Sequence, residues 1–297
     1  MLYRQKTLLY LIKLAGGSAT KLQLTKWAFL LSRESPANGG DSFYQFVPYK
    51  YGPYSFCLYQ ELGAMLEQGL LTAADSRTLG LTENGRVIAA STPVQFKEDA
   101  AVIHKRYGRL AFRPLLDDVY NRYPWYSINS EVRRLEKRPK AAPAIYTAGY
   151  EGLTIDGFLD RLLHAGIERV IDVRSNPVSR RYGYHKSTMA RLCKDVDISY
   201  AHFPQLGIPV EDRQELLALN DRETLLANYE SEILPEQNAA IREVAALLEE
   251  RASVLVCMEA NPAECHRSRL ARAVMTLVDL PLHDLGSCTC HGGVQAN

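Results

Sequence analysis

The sequence lacks any run of about 20 apolar residues, the length a helix needs to cross a bilayer, so no membrane contact is expected. Its opening, Met1 to Lys13 with Arg4 and Lys6, lacks the cleavage pattern of a signal peptide. Cysteine is sparse, at 6 in 297 residues, which argues against the disulfide framework of a secreted domain and for reduced thiols. The expected location is therefore the cytoplasm. A bias toward one charge is absent too: 35 Lys and Arg stand against 34 Asp and Glu, a net charge of +1. The balance is uneven along the chain, however. Residues 1–140 carry 20 basic and 12 acidic side chains, +8, and the remainder 15 and 22, −7. A basic first half joined to an acidic second half suggests that the first meets a polyanion.

The length suits two domains. In the first, apolar spacing predicts a helix over 3–15, stopped by Gly16-Gly17, and a second over 21–33 capped by Ser18-Ala19-Thr20. Beyond Gly39-Gly40, an extended aromatic stretch (43–49) and the turn Lys50-Tyr51-Gly52-Pro53 precede a third helix over 54–68. Leu70-Leu71 and Leu79-Gly80-Leu81 form the arms of a hairpin around Asp75-Ser76-Arg77. Three helices and a hairpin are the order of a winged helix-turn-helix over residues 1–92, with Lys21, Lys26, Lys50 and Arg77 as candidate contacts to DNA or RNA. Residues 93–143 read as a helical connector ending in the basic linker Lys137-Arg138-Pro139-Lys140. Pairing with a protein partner, or homodimerisation through the first domain, is the other use open to such helices.

Residues 144–297 alternate strands and helices, the pattern of a parallel sheet covered by helices. Strands are expected at 145–150, 169–174, 199–203 and 254–257, with helices over 155–165, 189–193 and within 233–250. Ligands bind such sheets beyond the C-terminal strand ends, where Tyr150, Arg174, His202 and Cys257 fall. The expected fold class is thus α/β, preceded by a mostly helical domain.

Chemistry concentrates in Val254-Leu255-Val256-Cys257-Met258-Glu259-Ala260-Asn261-Pro262-Ala263-Glu264-Cys265-His266-Arg267-Ser268. An apolar strand ends at a thiol, and a second thiol opens a helix beside histidine and arginine. Helix N-termini and neighbouring arginine stabilise thiolates and bound anions. Cys257 or Cys265 is the candidate nucleophile, with Glu259, His266 and Asp172 as candidate proton-transfer groups and Arg267 as a stabiliser of developing negative charge. Arg174, Arg180, Arg181 and Lys186 form a basic group suited to a phosphate, and Tyr150, Glu151 and His202 are candidate substrate contacts. Cys57 and Cys193 fall in helices and read as core. The tail Cys288-Thr289-Cys290-His291 is half a zinc site, so neither metal nor cofactor is expected.

The first domain, with its Tyr-Gly-Pro turn and a helix ending in Gly-Leu-Leu, resembles winged-helix domains of the Panacea antitoxin type over about residues 5–90. The second resembles domain-of-unknown-function family 488 over about 144–285. The motifs carrying that resemblance are Thr147-Ala148-Gly149-Tyr150-Glu151-Gly152, Ile171-Asp172-Val173-Arg174-Ser175-Asn176-Pro177, Gly183-Tyr184-His185-Lys186, Leu206-Gly207 and the Cys-Met-Glu…Pro…Cys-His-Arg loop. That family is similar, more distantly, to the rhodanese and cysteine-phosphatase superfamily. The similarity implies a rhodanese-like fold, Cys257 at the nucleophile position and Arg267 where an anion-holding arginine sits. Nine residues separate Cys257 from Arg267, more than in those phosphatases, so their reaction is not carried over. The expected function is a cysteine-dependent enzyme acting on nucleic acid, in DNA repair, modification or defence, with the winged helix delivering the substrate. The alternative is a DNA-binding transcriptional regulator whose α/β domain senses a ligand or oxidant without turnover.

Overall fold

The computed structural model describes residues 1–35, 43–209 and 222–286. The chain forms two compact units, Met1–Arg138 and Pro139–Asn297. Gly39-Gly40 and the Cys288, Cys290, His291 tail lie outside the described residues.

In the first unit, α1 (Tyr3–Leu14), α2 (Lys21–Glu34) and α3 (Phe56–Glu67) pack through Leu8, Leu9, Trp27, Leu30, Leu58 and Leu62. Thr20 caps α2 and Ser55 caps α3, each side-chain oxygen accepting a backbone N–H of the first turn. A short strand β1 (Ser18–Thr20) pairs antiparallel with the hairpin of β4 (Leu71–Ala73) and β5 (Thr78–Leu81). The turn at Lys50-Tyr51 closes a second ribbon, β2 (Val47–Tyr49) with β3 (Gly52–Tyr54). A helix α4 (Glu83–Ala90) follows, capped by Thr82. The segment expected as a connector supplies α5 (Val94–Tyr107) and α6 (Phe112–Arg122), whose Ala100, Ile103, Tyr107, Leu115 and Val119 join this same core. Their amphipathic faces need a surface to bury against, and α2 provides it.

The second unit is built on a five-stranded sheet in the order β10–β6–β9–β7–β8, every pairing parallel. The strands are β6 (Ile145–Gly149), β7 (Arg169–Asp172), β8 (Ser199–His202), β9 (Ser253–Cys257) and β10 (Leu282–Asp284). Every residue of β7 and β9 is buried, as expected of strands covered on both faces. Ile145, Ile171 and Leu255 face α10 (Asn238–Glu250) and α11 (His266–Met275), packing on Ile241, Val244, Leu248, Leu270 and Val274. Among the described residues three further α-helices belong to the unit: α7 (Ile155–His164), α8 (Lys186–Asp195) and α9 (Arg222–Asn228). Among the described residues no helix is long and apolar enough to cross a membrane.

Candidate functional site

The register of the sheet fixes where the chemistry sits. Cys257 ends β9 level with Gly149 of β6, while Asp172 of β7 lies level with Val256 and with His202 of β8. From Cys257 the chain leaves the sheet, makes one 3-10 turn over Pro262–Glu264, and re-enters at Cys265 and His266, the start of α11. Asn261 caps that turn by accepting the Ala263 N–H at 3.1 Å. The loop therefore returns its second thiol to the strand end where the first one lies.

Four side chains meet there. The thiols of Cys257 and Cys265 both donate to Glu259 Oε2, at 3.0 and 3.1 Å. His266 Nε2 donates to the Val173 carbonyl at 3.0 Å, which leaves Nδ1 facing Cys257 Sγ at 3.6 Å. That carbonyl selects the tautomer and the ring orientation together. Tyr229 packs edge-on against the imidazole, ring centroids 5.3 Å apart. Cys257, Cys265 and His266 are buried and Glu259 is partly exposed. A hollow of about 280 Å³ bounded by Glu259, His266, Met258, Arg222 and Leu226 gives solvent a route to the cluster.

Two thiols this close cannot both ionise. Burial pushes the Cys257 thiol up, but a hydrogen bond from Cys265 and the His266 charge and hydrogen bond outweigh it and leave it well below the ordinary thiol range. Burial and the adjacent Cys257 thiolate push Cys265 well above that range. Burial disfavours the charged His266, yet the Cys257 thiolate raises it above an ordinary histidine. Of the two thiols, Cys257 is therefore the one whose surroundings favour ionisation, and His266 is the neighbour that favours it. Cys193, in apolar surroundings, is pushed up to about 12 by burial and is inert.

The loop is held from beneath by Arg267, expected to stabilise developing negative charge, and by Tyr150 and Glu151, expected as substrate contacts. Arg267 is completely buried, and its guanidinium donates to the Glu259 and Ala260 carbonyls and to Asp284. Those two carbonyls need cationic donors because the turn leaves them without strand partners. Glu151 accepts the Ala260 N–H at 3.0 Å, and the N–H groups of Tyr150 and Glu151 donate to the Met258 carbonyl. A Cβ on Gly149 would stand 1.9 Å from the Glu259 carbonyl oxygen, so only glycine lets the loop lie this close.

These contacts place several of the expected site residues in the interior. Arg267 braces the loop through its two terminal nitrogens, while its buried Nε has no hydrogen-bond partner among the described residues. Arg174 is buried as well, donating to Asp172, to the Tyr150 hydroxyl at 2.8 Å and to the Tyr184 carbonyl at 2.9 Å, so no donor remains to orient a phosphate. Asp172, fully buried, is ion-paired with Arg174 and accepts the Tyr200 hydroxyl at 2.6 Å. It is the buried counter-ion of Arg174. Tyr150 is 4 % exposed and stacks on Tyr184 at 4.1 Å, a core role. His202 spends Nε2 on the Arg174 carbonyl at 2.8 Å. Arg180, Arg181 and Lys186 are exposed, Arg181 donating to the Leu153 carbonyl at 2.6 Å.

In the first unit, Lys26 is 1 % exposed and donates to the Pro53 carbonyl at 2.7 Å, so it is unavailable to nucleic acid. Lys21 reaches the Ser76 carbonyl at 3.1 Å, Lys50 pairs with Glu131 at 3.2 Å, and Arg77 is exposed on the hairpin loop. These three remain accessible. Sequence reasoning missed Tyr229, Tyr200 and Asp284, each distant along the chain from the residue it supports. It also sought a metal only in the Cys288, Cys290, His291 tail. Among the described residues, the side chains grouped so as to hold one are Cys257, Glu259, Cys265 and His266.

The family model described as "Domain of unknown function DUF488" matches residues 154–274, a stretch that contains all four clustered side chains. No curated protein and no solved structure matches the chain.

Proposed function

We propose that this protein is an enzyme acting on nucleic acid, with Cys257, Glu259, Cys265 and His266 as its reactive centre and the first unit as the element that brings the polymer to it. The convergence of these four side chains at the C-terminal edge of the parallel sheet is the observation that carries the reading. Reactive groups are rarely buried together without a task, and open α/β sheets place theirs at this edge. The first unit supports the substrate class. Its three helices and hairpin follow the winged-helix order, its sequence carries +8 over residues 1–140, and Lys21, Lys50 and Arg77 are accessible on α2, the β2–β3 turn and the hairpin loop. The second unit is read as a rhodanese-like domain in which Cys257 takes the nucleophile's place while its basic residues have become loop braces.

In the reaction, Cys257 acts as the nucleophilic or electron-rich group and Glu259, facing the hollow, carries protons to and from the substrate. Single- and double-stranded DNA and RNA oligonucleotides incubated with the purified chain should change in intact mass. Cys257→Ser and His266→Ala should stop the change. Unchanged masses on every polymer, combined with DNA affinity that shifts on oxidation, would instead establish a redox-sensing regulator. The shared carboxylate between two buried thiols favours that second reading over a plain scaffold.

A further inference from the structure

We propose that Cys257, Cys265, His266 and Glu259 form a binding site for one zinc ion, resting on the reading above that this cluster is the reactive centre. One ligand atom from each of the four residues lies within 4.8 Å of all the others. A tetrahedral zinc site with bonds of about 2.0–2.3 Å needs its ligand atoms about 3.3–3.8 Å apart. The observed 3.6 Å from sulfur to His266 lies within that range, and the 3.0 and 3.1 Å from sulfur to Glu259 fall just short of it.

The donor set selects the ion. Two thiolates and an imidazole are soft and borderline ligands, favouring zinc over the hard cations that oxygen cages hold. A second observation is independent of the clustering. Ligating histidines characteristically donate their other ring N–H to a carbonyl or carboxylate, and His266 Nε2 does so to the Val173 carbonyl at 3.0 Å. Nδ1 is thereby left as the lone-pair donor on the side where both sulfurs lie. The loop is also prebuilt. Arg267 clamps the Glu259 and Ala260 carbonyls, and Glu151 holds the Ala260 N–H, so the ligands between β9 and α11 are fixed before any ion arrives.

The four positions are not equivalent. Cys257, Cys265 and His266 are buried, whereas Glu259 is partly exposed and borders the hollow. Three protein ligands plus one exchangeable position are the pattern of catalytic zinc, a closed set that of structural zinc. Glu259, bordering the hollow, would be the exchangeable position, and a bound ion would supply Lewis acidity there while Cys257, Cys265 and His266 hold it. Binding itself releases the two thiol protons to solvent and leaves both sulfurs as metal-bound thiolates.

The test uses the full chain, stripped with a chelator under reducing conditions and titrated with Co²⁺, which reports thiolate coordination by an intense charge-transfer band. Wild type should develop the band at about one ion per chain, and Zn²⁺ should displace it. Cys265→Ser and His266→Ala should weaken Co²⁺ binding by at least about 10-fold, while Cys193→Ser leaves it intact. The wild-type titration does not depend on any variant folding. Absence of the band in wild type, or its persistence in both ligand variants, overturns the proposal. Oligonucleotide conversion that survives stripping with no band would sink the zinc site and leave the enzymatic reading. A zinc-loaded chain that converts no oligonucleotide would do the reverse.

Discussion

Lys26 offers a prediction whose size follows from one buried charge. Its ammonium is fully enclosed, donates to the Pro53 carbonyl, and has its pKa lowered by burial from 10.5 to about 7. Between about pH 7 and pH 10.5 the unfolded chain holds a proton that the native chain has lost, so stability rises with pH across that window at up to about 1.4 kcal/mol per unit. Below about pH 7 the penalty is fully present, about 5 kcal/mol from the size of the shift. Lys26→Met removes the charge and that slope but leaves the Pro53 carbonyl short of a partner, which costs about 1–3 kcal/mol. The variant should therefore be more stable than wild type by roughly 2–4 kcal/mol near pH 6, with the advantage shrinking and reversing as pH rises. Urea unfolding followed by tryptophan fluorescence reads this directly, because both tryptophans, Trp27 and Trp125, lie in the first unit. Parallel pH profiles for the two proteins would refute the reasoning. Nucleic-acid affinity should be unaffected, since the side chain never reaches the surface.

Asp172→Asn leaves the buried Arg174 guanidinium without its counter-ion and should cost about 3–5 kcal/mol in chemical denaturation of the second unit. Gly149→Ala forces a Cβ onto the Glu259 carbonyl and should weaken Co²⁺ binding about 10-fold or more, a loss of the size seen when ligand supports are removed. Replacing Lys21, Lys50 and Arg77 by glutamine should weaken binding to all DNA sequences alike. The slope of log affinity against log salt should then fall by about 0.9 for each phosphate that the protein no longer neutralises. In native protein Cys193 should resist iodoacetamide over the whole neutral pH range, because burial holds its pKa at about 12; rapid labelling there would show that the core opens.

The strands of the sheet core were legible because β9 carries the apolar run Val254-Leu255-Val256-Cys257 and β7 the β-branched pair Val170-Ile171, as doubly covered strands require. β10 was not: Leu282, His283 and Asp284 are all exposed, so no burial pattern marks an edge strand that backbone pairing alone defines. The segment 93–122 read as a connector because amphipathicity shows that a helix has an apolar face without showing which core receives it. At the site, the four clustered residues were legible from the strand-loop-helix spacing. The roles of Arg174, Arg267 and Asp172 were not, since a basic residue near a reactive loop looks the same whether its donors face a ligand or the loop's own carbonyls. Lys26 was misplaced for a related reason. α2 is buried on nearly every side from Leu24 to Leu31, and a single lysine within it reads as surface until the packing is seen.

Whether Cys257 carries chemistry on nucleic acid is decided most directly by one comparison, intact-mass spectrometry of oligonucleotides after incubation with wild-type protein and with Cys257→Ser. Conversion by wild type that disappears in the variant is the predicted result. Equal conversion by both, from folded protein, would contradict it and remove the Cys257 cluster from the chemistry.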